Sequence, residues 1–252
     1  MVSLIVPYRD RLKHLPGCLR TFAEHVGEEY EVLISEQAEG GYFLRGQLAN
    51  LVFSRAAGEI VAIMDVDARF LVRQEFSRWS SEQGKPFLPW TRVVDVAEDQ
   101  AGRLTPLGTP IIWAGNAAGM CCVLTREQFE ASNGYSNLVI GWGGEDNVLD
   151  GRVHRFARLD LNIAHVAHRA DRAKVVRTAR RANNMLLCLT ESRRNLAADS
   201  FRQTLATELP AEVLSQSPRI VKYAWRDITV PADFAYRELL DDYHAGEAET
   251  ID

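Results

Sequence analysis

An α/β fold, with helices packed on a parallel sheet, is what this sequence predicts, and two observations predict it. In the first third of the chain, short β-branched runs alternate with longer amphipathic segments in a βαβαβ order. With 252 residues, of which 46% are hydrophobic and 25% charged, the chain is also long enough and apolar enough to bury one large core. In order, residues 3–8 (SLIVPY) read as a strand, 12–26 as a helix, 30–35 (YEVLIS) as a strand, 43–58 as a second helix and 59–67 (EIVAIMDVD) as a third strand. Gly58 is placed to end the second helix before that strand.

Residues 68–118 carry turn signals (QGKP, DQAGR, LGTP) and read as short strands and loops crossing the sheet. In GMCCVLTREQF an apolar strand leads into Thr125-x-x-Gln128, a capping box opening a brief helix. Residues 143–157 read as a turn into a helix and LDLNIAHVAH as a further strand. Beyond His168 the chain is basic through Arg181, then helix-like, and ends in an acidic tail expected to fray.

The formal net charge of -5 argues against nucleic acid as the main partner, because phosphate-backbone binding relies on clustered Lys and Arg. Cys18, Cys121, Cys122 and Cys188 show no CxxC spacing, so neither a disulfide framework nor a zinc site is expected, and the chain reads as reduced and cytoplasmic. There is no signal-like start and no apolar run long enough to span a bilayer, so any membrane contact is expected to be peripheral, from the cytoplasmic side.

Four groups of residues could carry chemistry. Asp65-Val66-Asp67 ends an apolar run; strand alternation would turn both carboxylates to one face at the ligand-binding end of the sheet, where they suit a hard divalent cation holding phosphate. A bare D-x-D also occurs by chance or as a strand cap. His165 and His168 form H-x-x-H; they diverge on a strand and converge on a turn, and with a carboxylate they would suit Mn²⁺. Arg9 and Arg11 follow the first strand, where they could fork onto a nucleotide phosphate or stand in solvent. The basic run 169–181 reads first as a solvated face, though an anionic acceptor or a membrane surface would also use it.

Taken together and in order, these pieces resemble the β-1,4-galactosyltransferase family. IVPYRDR is similar to its V-P-[FY]-R-[ND]-R, ISEQAEGGYFLRGQLAN to its Q…F-N-R-[AG]-x-L-x-N, MDVDARFL to its D-V-D, and QFEASNGYSNLVIGWGGEDNV to its Q-F-x-x-x-N-G-[FY]-x-N…G-W-G-G-E-D. The last block is the specific one. The resemblance implies a GT-A, Rossmann-like fold with a mixed, mostly parallel central sheet flanked by helices. A catalytic domain is expected over 1–195, with a nucleotide-sugar half near 1–70 and an acceptor half near 110–170, followed by a C-terminal helical extension over 196–252.

The resemblance also implies roles. Asp146 matches the catalytic base, and Trp142, Gly143, Gly144 and Glu145 the acceptor site. Pro7, Tyr8, Arg9, Arg11, Phe43, Arg45 and Asp65 match the nucleotide-sugar site, which Ala117 joins where the family has a bulky tyrosine. Asp67 and His168 match the metal ligands, and His165 stands where the family often has a methionine ligand. The expected activity is Mn²⁺-dependent, inverting transfer of Gal or GalNAc from UDP to a glycan or lipid-linked glycan, as in bacterial surface polysaccharide synthesis. Rivals are a polypeptide GalNAc-transferase-like enzyme and a non-catalytic nucleotide-sugar-binding subunit; a hydrolase built on H-x-x-H lacks the H-E-x-x-H arrangement. Two departures are Gly119-Met120 for the family's Gly-Gly and Asp10 for its commoner asparagine.

Overall fold

The computed structural model describes residues 1–9, 11–37, 43–112, 119–136, 139, 143–167, 211–215 and 220–225, the last two segments and Leu12 by backbone alone. The chain opens with β1 (Val2–Tyr8), a 3-10 turn, α1 (Leu15–His25), β2 (Tyr30–Gln37), α2 (Arg45–Phe53) and β3 (Ile60–Met64). β1 pairs parallel with β2 on one side and β3 on the other, as the βαβαβ order requires. All seven β1 residues are buried, the signature of a strand covered on both faces. Burying each of its Val, Leu and Ile side chains contributes about 1.5–3 kcal/mol. α2 lies on this sheet with all nine residues buried, so its polar members Arg45, Gln47 and Asn50 must find partners inside the protein. It ends at Phe53, where the Ser54 hydroxyl donates to Leu51 O, rather than at Gly58. Gly58 instead lets the chain pass β1, where a Cβ would stand 2.6 Å from Ser3 N.

The turn-rich middle holds more regular structure than its sequence suggests. β4 (Ala68–Phe70), α3 (Phe76–Gln83), β5 (Phe87–Leu88), β6 (Arg92–Glu98), β7 (Leu104–Pro106) and β8 (Ile111–Ile112) fall there. The signal QGKP is the stop of α3, with Gly84 at φ 62 as its left-handed cap. Next come β9 (Cys121–Thr125), α4 (Arg126–Ala131), α5 (Glu145–Arg152), β10 (Ala157–Arg158) and β11 (Asn162–Val166). The capping box forms as expected: Gln128 N donates to Thr125 Oγ1 at 3.1 Å, and Thr125 N to Gln128 Oε1 at 2.9 Å.

The main sheet has the order β10-β5-β9-β3-β1-β2-β13-β12, with β9 antiparallel to its neighbours, so it is mixed with a parallel heart. A second sheet, β4-β11-β6-β7 with β8 on β6, stands beyond the carboxyl end of β3. Within the segment expected to be a helical extension, β12 (Ala211–Ser215) and β13 (Ile220–Trp225) are strands, and β13 pairs parallel with β2. The expectation of helix there is corrected. IVKYAW, with its β-branched and aromatic residues, favours an extended partner for the open edge of β2. The rest of 196–252, and the basic run 169–181, lie outside the described residues. No helix among the described residues is long and apolar enough to cross a membrane.

Candidate active site

The site forms where β1 and β3 run out and the chain turns toward the second sheet. β3 ends at Met64, so Asp65, Val66 and Asp67 occupy a turn, closed by Ala68 N donating to Asp65 O at 3.0 Å. The expectation that both carboxylates share one strand face is therefore wrong. The chain has to leave one sheet and enter β4 of the other, and the turn sends the two side chains to different partners.

Asp65 faces α2. Its carboxylate accepts from Arg45 Nε, and from Met120 N at 3.1 Å, while Asp65 N donates to Met120 O at 2.8 Å. Met120 stands at φ 70, the left-handed region in which the family's glycine would be unstrained; here the two bonds to Asp65 hold a non-glycine residue in it. From the other side Arg45 Nη1 donates to Asp146 Oδ1 at 2.7 Å and to the Tyr135 hydroxyl at 3.1 Å, with the guanidinium 5.5 Å from that ring's centre. One buried arginine thus ties the D-x-D turn to the expected base. Its Nη2 has no hydrogen-bond partner among the described residues.

Asp146 is delivered by the Gly-Gly turn. Gly143 and Gly144 stand at φ 88 and 105, which favour glycine, and Gly144 caps α5 so that Glu145 and Asp146 fall in its first turn, where the helix dipole favours negative charge. A Cβ on Gly119 would come within 3.1 Å of Asp146 Oδ2, so a bare backbone passes the carboxylate there.

Burial dominates the electrostatics of this cluster. It pushes the Glu145 carboxyl up to about 8, with the Asp146 charge adding to the rise and Arg45 opposing it. Burial raises Asp146 too, with Arg45 opposing and Asp65 adding. Burial alone would depress Arg45, but Asp146 and Asp65 hold it well above its ordinary value. Glu145 Oε2 is buried without a hydrogen-bond partner among the described residues.

Asp67, 3% exposed, faces the second sheet instead. It is ion-paired with Arg11, and its Oδ2 lies 3.8 Å from His165 Nε2. His165 sits on β11 beside Ala68 of β4 and Asp95 of β6, and Val166 N donates to Asp67 O at 2.8 Å. Arg9 stacks over the Phe43 ring at 5.9 Å, joining two more expected donor-site residues, while Pro7 and Tyr8 end β1 beside Ser35 and Glu36. Trp142, Ala117 and His168 lie outside the described residues.

Sequence reasoning missed the residues that brace these groups. Asn50 and Tyr135 exchange two bonds, Asn50 Nδ2 to Tyr135 O at 2.8 Å and Tyr135 N to Asn50 Oδ1 at 2.9 Å, and Gln47 Nε2 donates to Val139 O at 3.2 Å. These fasten α2 to the loop that precedes the Gly-Gly turn. The available signal was the motif itself, in which Asn50 is the last position of x-L-x-N and Tyr135 the aromatic of N-G-[FY], together with polar Gln47 in the same helix. Asp95, the acceptor for His165 Nδ1 at 2.8 Å, is one of two acids in an alternating strand and gave little.

Comparisons with known proteins agree with the motifs. Residues 109–178 match a family described as the N-terminal domain of galactosyltransferase. Human beta-1,4-galactosyltransferase 4 is 31% identical over 159 residues, 60% of this chain and 42% of that protein. Mouse beta-1,4-galactosyltransferase 1 is 25% identical over 188 residues, 73% of this chain and 43% of that protein. The chain thus spans less than half the length of these curated relatives. Among solved structures, Drosophila beta-1,4-galactosyltransferase 7, in a mutant complex with manganese, UDP-Gal and xylobiose, superposes with a TM-score of 0.56 at 16% identity, covering 91% of this chain and 95% of that one. That likeness is one of fold.

Proposed function

We propose that the chain, which has the GT-A fold, is a member of the β-1,4-galactosyltransferase family and transfers galactose or N-acetylgalactosamine from UDP to a glycan hydroxyl with inversion. The observation that carries this reading is the Arg45 bridge: one buried guanidinium holds the D-x-D turn and Asp146 together at the carboxyl edge of the sheet. A donor sugar held over Asp65 would place its anomeric carbon near the carboxylate that must receive the acceptor's proton.

In this reading Asp146 takes the proton of the acceptor hydroxyl as that oxygen attacks the anomeric carbon from the face opposite UDP. Its raised pKa makes it a stronger base than an exposed aspartate, and Arg45 fixes its direction. Glu145, protonated near neutral pH, can donate a hydrogen bond to an acceptor oxygen as well as accept one. Arg45 Nη2 and the Arg9–Phe43 pair supply positive charge and a flat face for the nucleotide sugar.

The donor set fits a divalent cation. A buried carboxylate and an imidazole nitrogen stand 3.8 Å apart, and the imidazole's other nitrogen is held by a carboxylate, as metal-binding histidines usually are. Asp67 and His165 would hold Mn²⁺, with His168 of the H-x-x-H as a further ligand by position in the sequence. When bound, Mn²⁺ neutralises charge gathering on the departing diphosphate. Arg11, paired with Asp67 here, would turn from it to the phosphates.

Ala117, standing where the family has a bulky tyrosine, supports room for an acetamido group and so UDP-GalNAc as donor. The acceptor we favour is a growing bacterial surface glycan, free or lipid-linked. The basic run 169–181 supports a place in the cytoplasm at the inner face of a membrane. UDP release from UDP-Gal, UDP-GalNAc, UDP-Glc and UDP-GlcNAc, with Mn²⁺ or with EDTA, tests the reading. Mn²⁺-dependent release from one of the first two is expected. Release from none with Mn²⁺-dependent UDP binding retained would leave a non-catalytic nucleotide-sugar-binding subunit, and release from none without that binding would overturn both readings.

A further inference from the structure

We propose that Asp95 is a positioning residue for the metal corner: its carboxylate holds the Nδ1–H of His165, so that Nε2 keeps its lone pair turned toward Asp67. The inference rests on the metal reading above and adds to it a residue that no motif of the sequence marks.

The register of the second sheet places the three groups. β11 runs parallel to β6 with His165 beside Asp95, and antiparallel to β4 with His165 beside Ala68, the residue after Asp67. Val166 N–H to Asp67 O locks β11 to the D-x-D turn at 2.8 Å, so the ring cannot slide away from the carboxylate. In β6 the neighbours Val94 and Val96 point into the core, which turns Asp95 to the other face.

Chemistry then assigns the protons. An ionised carboxylate only accepts, so the 2.8 Å contact between Asp95 Oδ1 and His165 Nδ1 requires Nδ1 to be the donor. A neutral imidazole carries one N–H, which leaves Nε2 as a Lewis base. Nε2 is 3.8 Å from Asp67 Oδ2, too far for a hydrogen bond but within the roughly 4 Å that two ligands each about 2.0–2.2 Å from a shared ion can span. Without Asp95, the ring is free to protonate Nε2 or to rotate, and either change removes the donor. Asp95 remains half exposed, so replacing it disturbs little packing.

Two measurements on the full chain test this. The first is the His165 tautomer in the metal-free protein at pH 7.5, read from ¹⁵N-histidine NMR with the signal identified by its loss in His165→Gln. The second is Mn²⁺ affinity, read by EPR of the free ion in the native chain, Asp95→Ala, Asp95→Asn and the surface control Asp99→Ala. Expected are the Nδ1–H tautomer in the native chain, loss of its dominance in Asp95→Ala, and Mn²⁺ binding weakened about 10–100-fold. Asp95→Asn, whose Oδ1 still accepts, recovers most of the affinity, and Asp99→Ala keeps all of it. Native tautomer and native affinity in Asp95→Ala would overturn the positioning role while leaving the metal site standing. A native chain that binds no Mn²⁺ removes both.

Discussion

Two arginines sealed in this molecule face carboxylates, Arg69 between the second sheet and α1 and Arg45 between α2 and the edge of the main sheet, and their surroundings differ in kind. All five N–H donors of Arg69 are used: Glu98 takes two, and the carbonyls of Val66, Ala68 and His14 take the rest. Helix α1 comes so close that a Cβ on Gly17 would meet Glu98 Oε1 at 2.2 Å. Arg45, equally charged and nearly as buried, makes three bonds and leaves Nη2 unmatched among the described residues. A closed network fixes a scaffold, whereas an arginine with donors to spare among carboxylates of raised pKa has charge left for a ligand.

The largest effect should come from Asp146, which ends the Arg45 cluster. Asp146→Asn keeps the shape and the hydrogen bond from Arg45 but cannot take a proton, so turnover should fall about 10²–10⁴-fold. UDP affinity, measured by calorimetry, should hold within a few fold. A variant that turns over at the native rate would move the base elsewhere and make the cluster structural.

Next, thermal melting of Arg69→Met and Arg45→Met compares the two arginines directly. Arg69→Met strands Glu98 and three carbonyls and should cost about 3–5 kcal/mol, on the order of 10 °C in Tm. Arg45→Met should cost less, about 1–2 kcal/mol, because Asp65, with 29% of its side chain exposed, can turn to water, and Asp146, whose pKa burial already raises, can take up a proton. It should nonetheless abolish measurable turnover. Equal losses of Tm would erase the distinction.

The fold was legible where its causes are local. β1 to β3, α1 and the capping box of α4 follow from periodicity and caps within a few residues, whereas α2 is buried on every side and has no cap to announce it. The turn carrying Asp65 and Asp67 was not, because a run of VAIM followed by alternating acids reads as one strand until β4 is known to leave the sheet. The same holds for β13: only the open edge of β2, some 190 residues earlier, explains why 220–225 is extended. The motif residues of the site could be named in advance because they are chemically conspicuous. Their pairings could not, since Arg45 with Asp146, Asn50 with Tyr135 and Asp95 with His165 are 101, 85 and 70 residues apart.

The smallest effect is also the sharpest probe of the cluster's unfinished state. Glu145 is raised from 4.5 to about 8 by burial and by Asp146, so the folded chain keeps a proton that the unfolded chain releases above about pH 4.5. Stability from this group is therefore full below pH 4.5 and is lost as pH rises toward about 8. Glu145→Gln cannot ionise, so between pH 5.5 and 8 its Tm should fall less than the native chain's, by about 2–4 °C for each kcal/mol of penalty removed. If Glu145→Gln and the native chain lose Tm in parallel, Glu145 is ionised in the fold and cannot donate a hydrogen bond to an acceptor.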